Sequence, residues 1–289
     1  PRMFVFLLVL PITLWLGIVY IGALIALLIQ SFFSIDEFSG VIVHEFTLKT
    51  YGELYLHTAN DVTTVTVAMA ASVTVAAAVV AFPIAYFAAR YAKGKWKALF
   101  YIGVMLPLWS SYLVKVYAWK LVLAKEGILN WVFAKLHLTW FLEGFLALPV
   151  IGGNSLSVSY LGTFLVFLYI WLPYMIIPVQ AALERVSKDL TEAAADLGAT
   201  PKQSFRMVLF PLALPGIVAG SIFTFSLTLG DYIVPQIVGN SRLFIGQAVY
   251  TQQGTAGNIP LAAAFTVVPI VIMGLYLWGA RKMGAFDAL

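Results

Sequence analysis

Cysteine is absent from this sequence of 289 residues, so it has no disulfide, no thiolate metal ligand and no thiol nucleophile. Charge is almost as scarce. Only 10% of the residues are Asp, Glu, Lys or Arg, while 62% are apolar; a soluble domain carries roughly a quarter charged residues. One globular core of this length could not hide that much apolar surface and keep a wetted exterior, and the mean hydropathy of +0.94 agrees. A soluble enzyme, a nucleic-acid binder and a disordered chain are excluded. Nucleic acid is not an expected partner despite a net charge of +4, because in a membrane protein the placement of Lys and Arg matters more than their sum.

Catalytic motifs are missing as well. Gly94-Lys95 is followed by Trp96 and lacks the upstream glycine of a nucleotide-binding loop. Gly153-Asn154-Ser155-Leu156-Ser157 misses the last glycine of a nucleophile elbow. His44, His57 and His137 lie far apart without an i, i+4 pair, so surface histidines are expected rather than a metal site. No catalytic residue, metal or cofactor is expected in this chain.

What is present is a series of long apolar runs. A membrane-spanning helix needs about 20 such residues, and six stretches qualify: Met3–Ser31, Val62–Ala89, Ala98–Leu123, Val158–Ala181, Val208–Val234 and Leu261–Ala280. Their continuity argues against the alternation of a β-barrel. The expected fold is an all-α membrane protein with six transmembrane helices in one domain, 1–289. The first run is too long for a signal-peptide core of about 7–15 residues and should be retained; Pro1 in place of an initiator Met implies that the chain continues upstream.

Loop charges set the expected orientation. With the N-terminus inside, eleven basic residues fall in cytoplasmic segments, among them Arg2, Arg90, Lys93, Lys95 and Lys97, and four in outer loops. The loop 90–97 has four basic residues and no acidic one, the strongest orienting signal. Both termini should face the cytoplasm. The outer loops 32–61, with Asp36, Glu37, Glu45 and Glu53, and 124–157, with Trp131, Trp140 and Phe141, are read as ordered headgroup-level segments or a docking surface.

The loop 184–206 carries the clearest local pattern. Ser187 can cap a helix in which Leu190, Ala193, Ala194 and Leu197 recur on one side, with Lys188, Asp189, Glu192 and Asp196 on the other. Gly198 suits a left-handed terminus; Thr200, Pro201 and Gln203 form a capping box with proline at the first helical position. Such a helix can plug into a partner's groove or rest on lipid headgroups.

Glu192-Ala193-Ala194, three residues, Gly198, nine residues and Val208-Leu209-Phe210-Pro211 resembles the EAA loop of type I ABC importer permeases. Val208 and Phe210 replace the usual Ile and Leu. Leu106–Trp119 and Gly230-Asp231-Tyr232-Ile233-Val234-Pro235 are similar to segments of spermidine/putrescine permeases within that family, although related permeases for other small solutes share them. The resemblance implies a MetI-like six-helix permease fold with a cytoplasmic coupling helix, in the bacterial inner membrane. It implies an ABC ATPase dimer that binds ATP and Mg, a second permease subunit and an extracytoplasmic solute-binding protein as partners, besides membrane lipid. Glu192, Ala193, Ala194, Leu197, Gly198 and Pro211 would couple to the ATPase. Transport would be inward by alternating access, of spermidine or putrescine, or of another small solute such as an organophosphonate. An ion-gradient transporter would need ionisable groups in several spans or inverted repeats, and the sequence offers neither.

For the solute pathway, Ser221, Thr224, Thr228 and Asp231 recur at steps of three, four and three, which places them on one helical face. They either line a path for a cationic solute or pack against a neighbouring helix beside the Gly216–Gly220 pair. Trp109 and Tyr112 follow Pro107, which should kink the third span, and Trp171 and Tyr174 offer aromatic faces in the fourth. These rings suit a polyamine through cation–π contacts or form an interfacial belt with Lys115 and Lys120 snorkelling outward.

Overall fold

A computed structural model describes residues 2–36, 38–58, 61–149, 151–240 and 242–282, and only the backbone of 2–6, 57 and 58. Glu37 and the side chains of Arg2 and His57 therefore lie outside the described residues. Among the described residues, five helices are long and apolar enough to cross a membrane: the first span Leu7–Gln30, the second Val62–Arg90, the fourth Tyr160–Arg185, the fifth Pro201–Gly230 and the sixth Ile259–Lys282. The third span is not one rod. It consists of Gly94–Trp109 and Tyr112–Val122, bent by 97°. At 1.5 Å per residue the 16-residue first half is about 24 Å long, short of the roughly 30 Å hydrocarbon core.

Small side chains decide which spans form the centre. Along the second span Thr66, Ala70, Val73, Thr74, Ala77, Ala81, Ala85 and Ala88 are buried at helical spacing, a seam that lets backbones approach closely. The fourth span is the most enclosed, with Val166, Phe167, Met175, Val179 and Leu183 fully buried. The second, fourth and fifth spans pack pairwise against one another. The first span contributes no buried side chain to this core and stands at its periphery.

Gly216 and Gly220 place the fifth span directly against the fourth. A methyl on Gly216 would lie 2.5 Å from the Pro178 carbonyl oxygen and 2.6 Å from Ala182 Cβ, and one on Gly220 would lie 2.6 Å from Met175 Sδ. Near its start the fifth span has a π-helical stretch, Phe205–Leu209, just ahead of Pro211. The wider turn accommodates a residue that cannot donate a backbone hydrogen bond.

The connections at the end opposite the basic loop are structured. Ser34–Ile35 pairs antiparallel with Ile42–Val43, and Lys49–Thr58, Ile128–Lys135 and Thr139–Leu146 are short helices. Trp131 and Trp140 lie exposed on the last two.

Gly216→Leu should lower the melting temperature of the detergent-solubilised chain by several degrees, since overpacking costs about 1–3 kcal/mol. Gly274→Leu, at a position with open space around it, should leave it near the wild-type value. Equal melting by both variants would show that the fourth–fifth crossing does not limit stability.

Candidate functional site

The site expected at the end of the fifth span forms differently from the sequence pattern. The helix ends at Gly230, and Asp231 is extended at φ −74°, ψ 132°. Ser221, Thr224 and Thr228 are buried and turned onto their own helix: they donate to the carbonyls of Val218 at 2.6 Å, Gly220 at 3.1 Å and Thr224 at 2.7 Å. Thr224 also meets Thr74 of the second span at 3.4 Å, and Tyr276 of the sixth donates to Ser221 at 2.6 Å. The three hydroxyls form a packing seam inside this chain, and Asp231 does not continue it. A helix face lasts only as long as the helix.

Asp231 is instead half-buried, with its carboxylate shared between two elements. It accepts the Val234 backbone N–H at 2.8 Å, holding the start of the short helix Ile233–Ile237. It also accepts the hydroxyl of Tyr112, which heads the second half of the broken third span. The segment that follows closes over this point: a methyl on Gly246 would lie 2.6 Å from the Asp231 carbonyl oxygen.

The break in the third span is at Ser110–Ser111, where both residues are extended, three residues after Pro107. Lys115 does not snorkel outward. Its Nζ reaches back across the bend to the Pro107 carbonyl at 2.7 Å, which Ser110 Oγ also meets at 2.9 Å. Hydrogen-bonding a carbonyl freed by the break outweighs reaching for water. Lys120 is exposed.

From Asp231 a file of rings runs past the buried Trp171 to Phe223 on the exposed side of the fifth span. Tyr112 stacks on Trp171 with centroids 5.9 Å apart, Trp171 meets Tyr174 edge-on at 5.8 Å, and Tyr174 lies 6.5 Å from Phe223. The buried Trp171 Nε1 has no hydrogen-bond partner. Tyr112 and Tyr174 are thus joined through Trp171, whereas Trp109 points away and is 85% exposed. The Tyr112–Asp231 contact spans 119 residues, a pairing that no local spacing reveals.

At the other end of the bundle the loop 184–206 forms the helix Lys188–Asp196, with no buried residue. Glu192 and Ala193 are exposed, Ala194 is half-buried, and Leu190 and Leu197 are 48% and 89% exposed. Ser187 stands at the helix start but its side chain makes no capping bond, a departure from the sequence expectation. Gly198, at φ +82°, closes the helix in the Schellman arrangement. Its N–H bonds Ala195 at 2.8 Å, and that of Ala199 bonds Ala194 at 2.9 Å. Thr200 and Gln203 form the capping box, with Pro201 at the first helical position. Pro211 lies in the fifth span, exposed and away from this helix.

Glu184 ties this loop to the bundle. Its carboxylate accepts Lys97 Nζ at 2.8 Å, Tyr101 at 3.1 Å and Gln180 at 3.2 Å, joining the start of the third span to the end of the fourth. Among the described residues, no group of three or more His, Asp or Glu is placed to hold a metal.

Residues 81–284 match the family described as binding-protein-dependent transport system inner membrane component. The chain is 56% identical to the inner membrane ABC transporter permease protein YdcU of Escherichia coli, over 100% of this chain and 92% of that protein. It is 30% identical to the spermidine/putrescine transport system permease protein PotB of Salmonella typhimurium, over 81% of this chain and 76% of that one. In fold it is similar to a chain of a bacterial ABC transporter that imports the acidic polysaccharide alginate, with TM-score 0.65 and 16% identity over 97% of this chain and 96% of that one. It is also similar to a chain of the MetNI methionine ABC transporter, with TM-score 0.53 and 19% identity over 76% and 92%. The exposed loop helix with its fixed glycine, the broken span and these likenesses agree: the chain belongs to the binding-protein-dependent transport system inner membrane components, as an ABC importer permease of the type I class.

Proposed function

We propose that the chain moves a small organic cation inward, with spermidine and putrescine as the leading solutes. The observation that carries this reading is Asp231, a half-buried carboxylate beside a broken span, with aromatic faces leading away from it. An ammonium group of the solute takes the place of the Tyr112 hydroxyl at the carboxylate. Tyr112, Trp171 and Tyr174 hold the adjoining methylenes and charge through cation–π contacts. Ser221, Thr224 and Thr228 serve this path indirectly, by fixing the fifth span that presents Asp231. Trp109, outside the file, faces lipid or the second permease subunit, which is a different chain.

The loop helix is the docking element for an ABC ATPase dimer that binds ATP and Mg. Glu192, Ala193 and Leu197 point outward for it, Ala194 and Gly198 keep the helix in shape, and Pro211 sets the widened turn near the start of the fifth span behind it. Closure of the ATPases moves the loop helices and opens the pathway outward; their separation opens it inward. An extracytoplasmic solute-binding protein delivers the solute at the opposite end. The bias of basic residues toward segments 90–97 and 184–206 supports an orientation with both termini cytoplasmic in the bacterial inner membrane, the chain acting as one permease unit among lipid.

Asp231→Asn should raise the apparent KM for spermidine uptake by about 10–100-fold, the worth of a hydrogen bond to a charged group, while the ATPase still co-purifies. Unchanged uptake kinetics would remove Asp231 from the pathway. Gly198→Val should abolish solute-stimulated ATP hydrolysis, because a β-branched residue resists positive φ. Gly198→Asn, which tolerates that conformation, should stay close to wild type. Full coupling in the Val variant would count against the docking assignment.

A further inference from the structure

The second span ends in a side chain without partners. Arg90 is partly buried, and its Nε and Nη2 are sealed from solvent with no hydrogen bond. These two nitrogens form the edge of the guanidinium that grips an oxyanion through parallel bonds. Leaving such donors unpaired is costly.

Arg90 lines a cleft of about 490 Å³ enclosed by the end of the second span, the loop helix and the first turn of the fifth span. Lys188, Ser204, Tyr86 and Glu192 are among its other polar walls. Two cations face one carboxylate, so the cleft carries an excess of positive charge. The loop helix and the fifth span also begin here, at Lys188 and Pro201, and a helix start adds partial positive charge. No hydrogen bond from the described residues holds the guanidinium where it lies, and gripping a ligand with its full edge requires it to turn into the cleft.

We propose that this cleft binds a phosphate group at the membrane surface, presented by an anionic phospholipid or by free phosphate. Arg90 is its main ligand, with Lys188 and Ser204 beside it. Occupancy braces the loop helix against the second span. This reading concerns binding by the chain itself and stands apart from the identity of the transported solute.

The test is thermal unfolding of the full chain in nanodiscs at fixed ionic strength. The discs contain phosphatidylcholine alone, phosphatidylcholine with phosphatidylglycerol, or phosphatidylcholine with added inorganic phosphate. Wild type should melt about 2–5 °C higher at roughly tenfold excess over Kd. A rise with phosphatidylglycerol assigns the lipid, and a rise with inorganic phosphate assigns the free anion. Arg90→Gln should abolish the rise. Arg90→Lys, which keeps the charge and loses the fork, should keep less than half of it and decides the matter if the Gln variant does not fold. Lys93→Gln combined with Lys95→Gln, outside the cleft, should retain the rise. An equal rise in wild type and Arg90→Lys would overturn the proposal in favour of general surface charge. So would no rise with either probe, or a rise that appears only in Glu192→Gln, where the chain's own carboxylate had filled the fork.

Discussion

Inside a bilayer no water is available to hydrogen-bond a freed backbone group, so every interruption of a helix must be repaired by protein. Two interruptions occur close together in this chain, and a single contact, Tyr112 to Asp231, joins them. The break at Ser110–Ser111 frees the Pro107 carbonyl, which Lys115 and Ser110 take up. The end of the fifth span at Gly230 leaves Asp231 free to receive Val234 N–H and the Tyr112 hydroxyl. The carboxylate is therefore both a helix-start device and the clamp on the second half of the third span.

Behind this end the bundle leaves little room for adjustment. Alanines of the second span and glycines of the fifth bring three helices into close contact, and hydroxyls in that contact are bonded to carbonyls of their own helix. Polar residues in such a seam tolerate the hydrocarbon without marking a channel. The first span, with no side chain buried over Leu7–Gln30, packs against the sixth span and adds nothing to this centre.

The opposite end has another construction. The loop helix is closed by a Schellman turn at Gly198 and followed at once by a capping box at Thr200 that starts the next helix; none of its residues is buried. It can therefore present Leu190 and Leu197 to the outside at little conformational cost. Glu184, bonded to Lys97, Tyr101 and Gln180, makes the adjoining span ends one rigid mount. The loop helix lies between the fourth and fifth spans, and these two helices carry Trp171 midway along the fourth and lead into Asp231 just beyond the end of the fifth.

Apolar length located five long helices and the broken third stretch in the sequence, because the thickness of the bilayer sets a count of residues that composition alone can meet; it could not show the 97° bend within the third. The loop helix, its glycine turn and the following cap were equally legible, since each depends on residues within a few positions of one another. Helical spacing failed at Asp231, where it assumed that the helix continued past Gly230, and at Lys115, where it assumed that water was the best available partner. Both outcomes depend on groups brought together from distant parts of the chain. The pairing of Tyr112 with Asp231, the ring file through Trp171 and the unpartnered guanidinium of Arg90 exist only in the folded bundle. Local chemistry determined the elements and their ends; the requirement that buried polar groups find partners, which packing alone can satisfy, decided the sites between them.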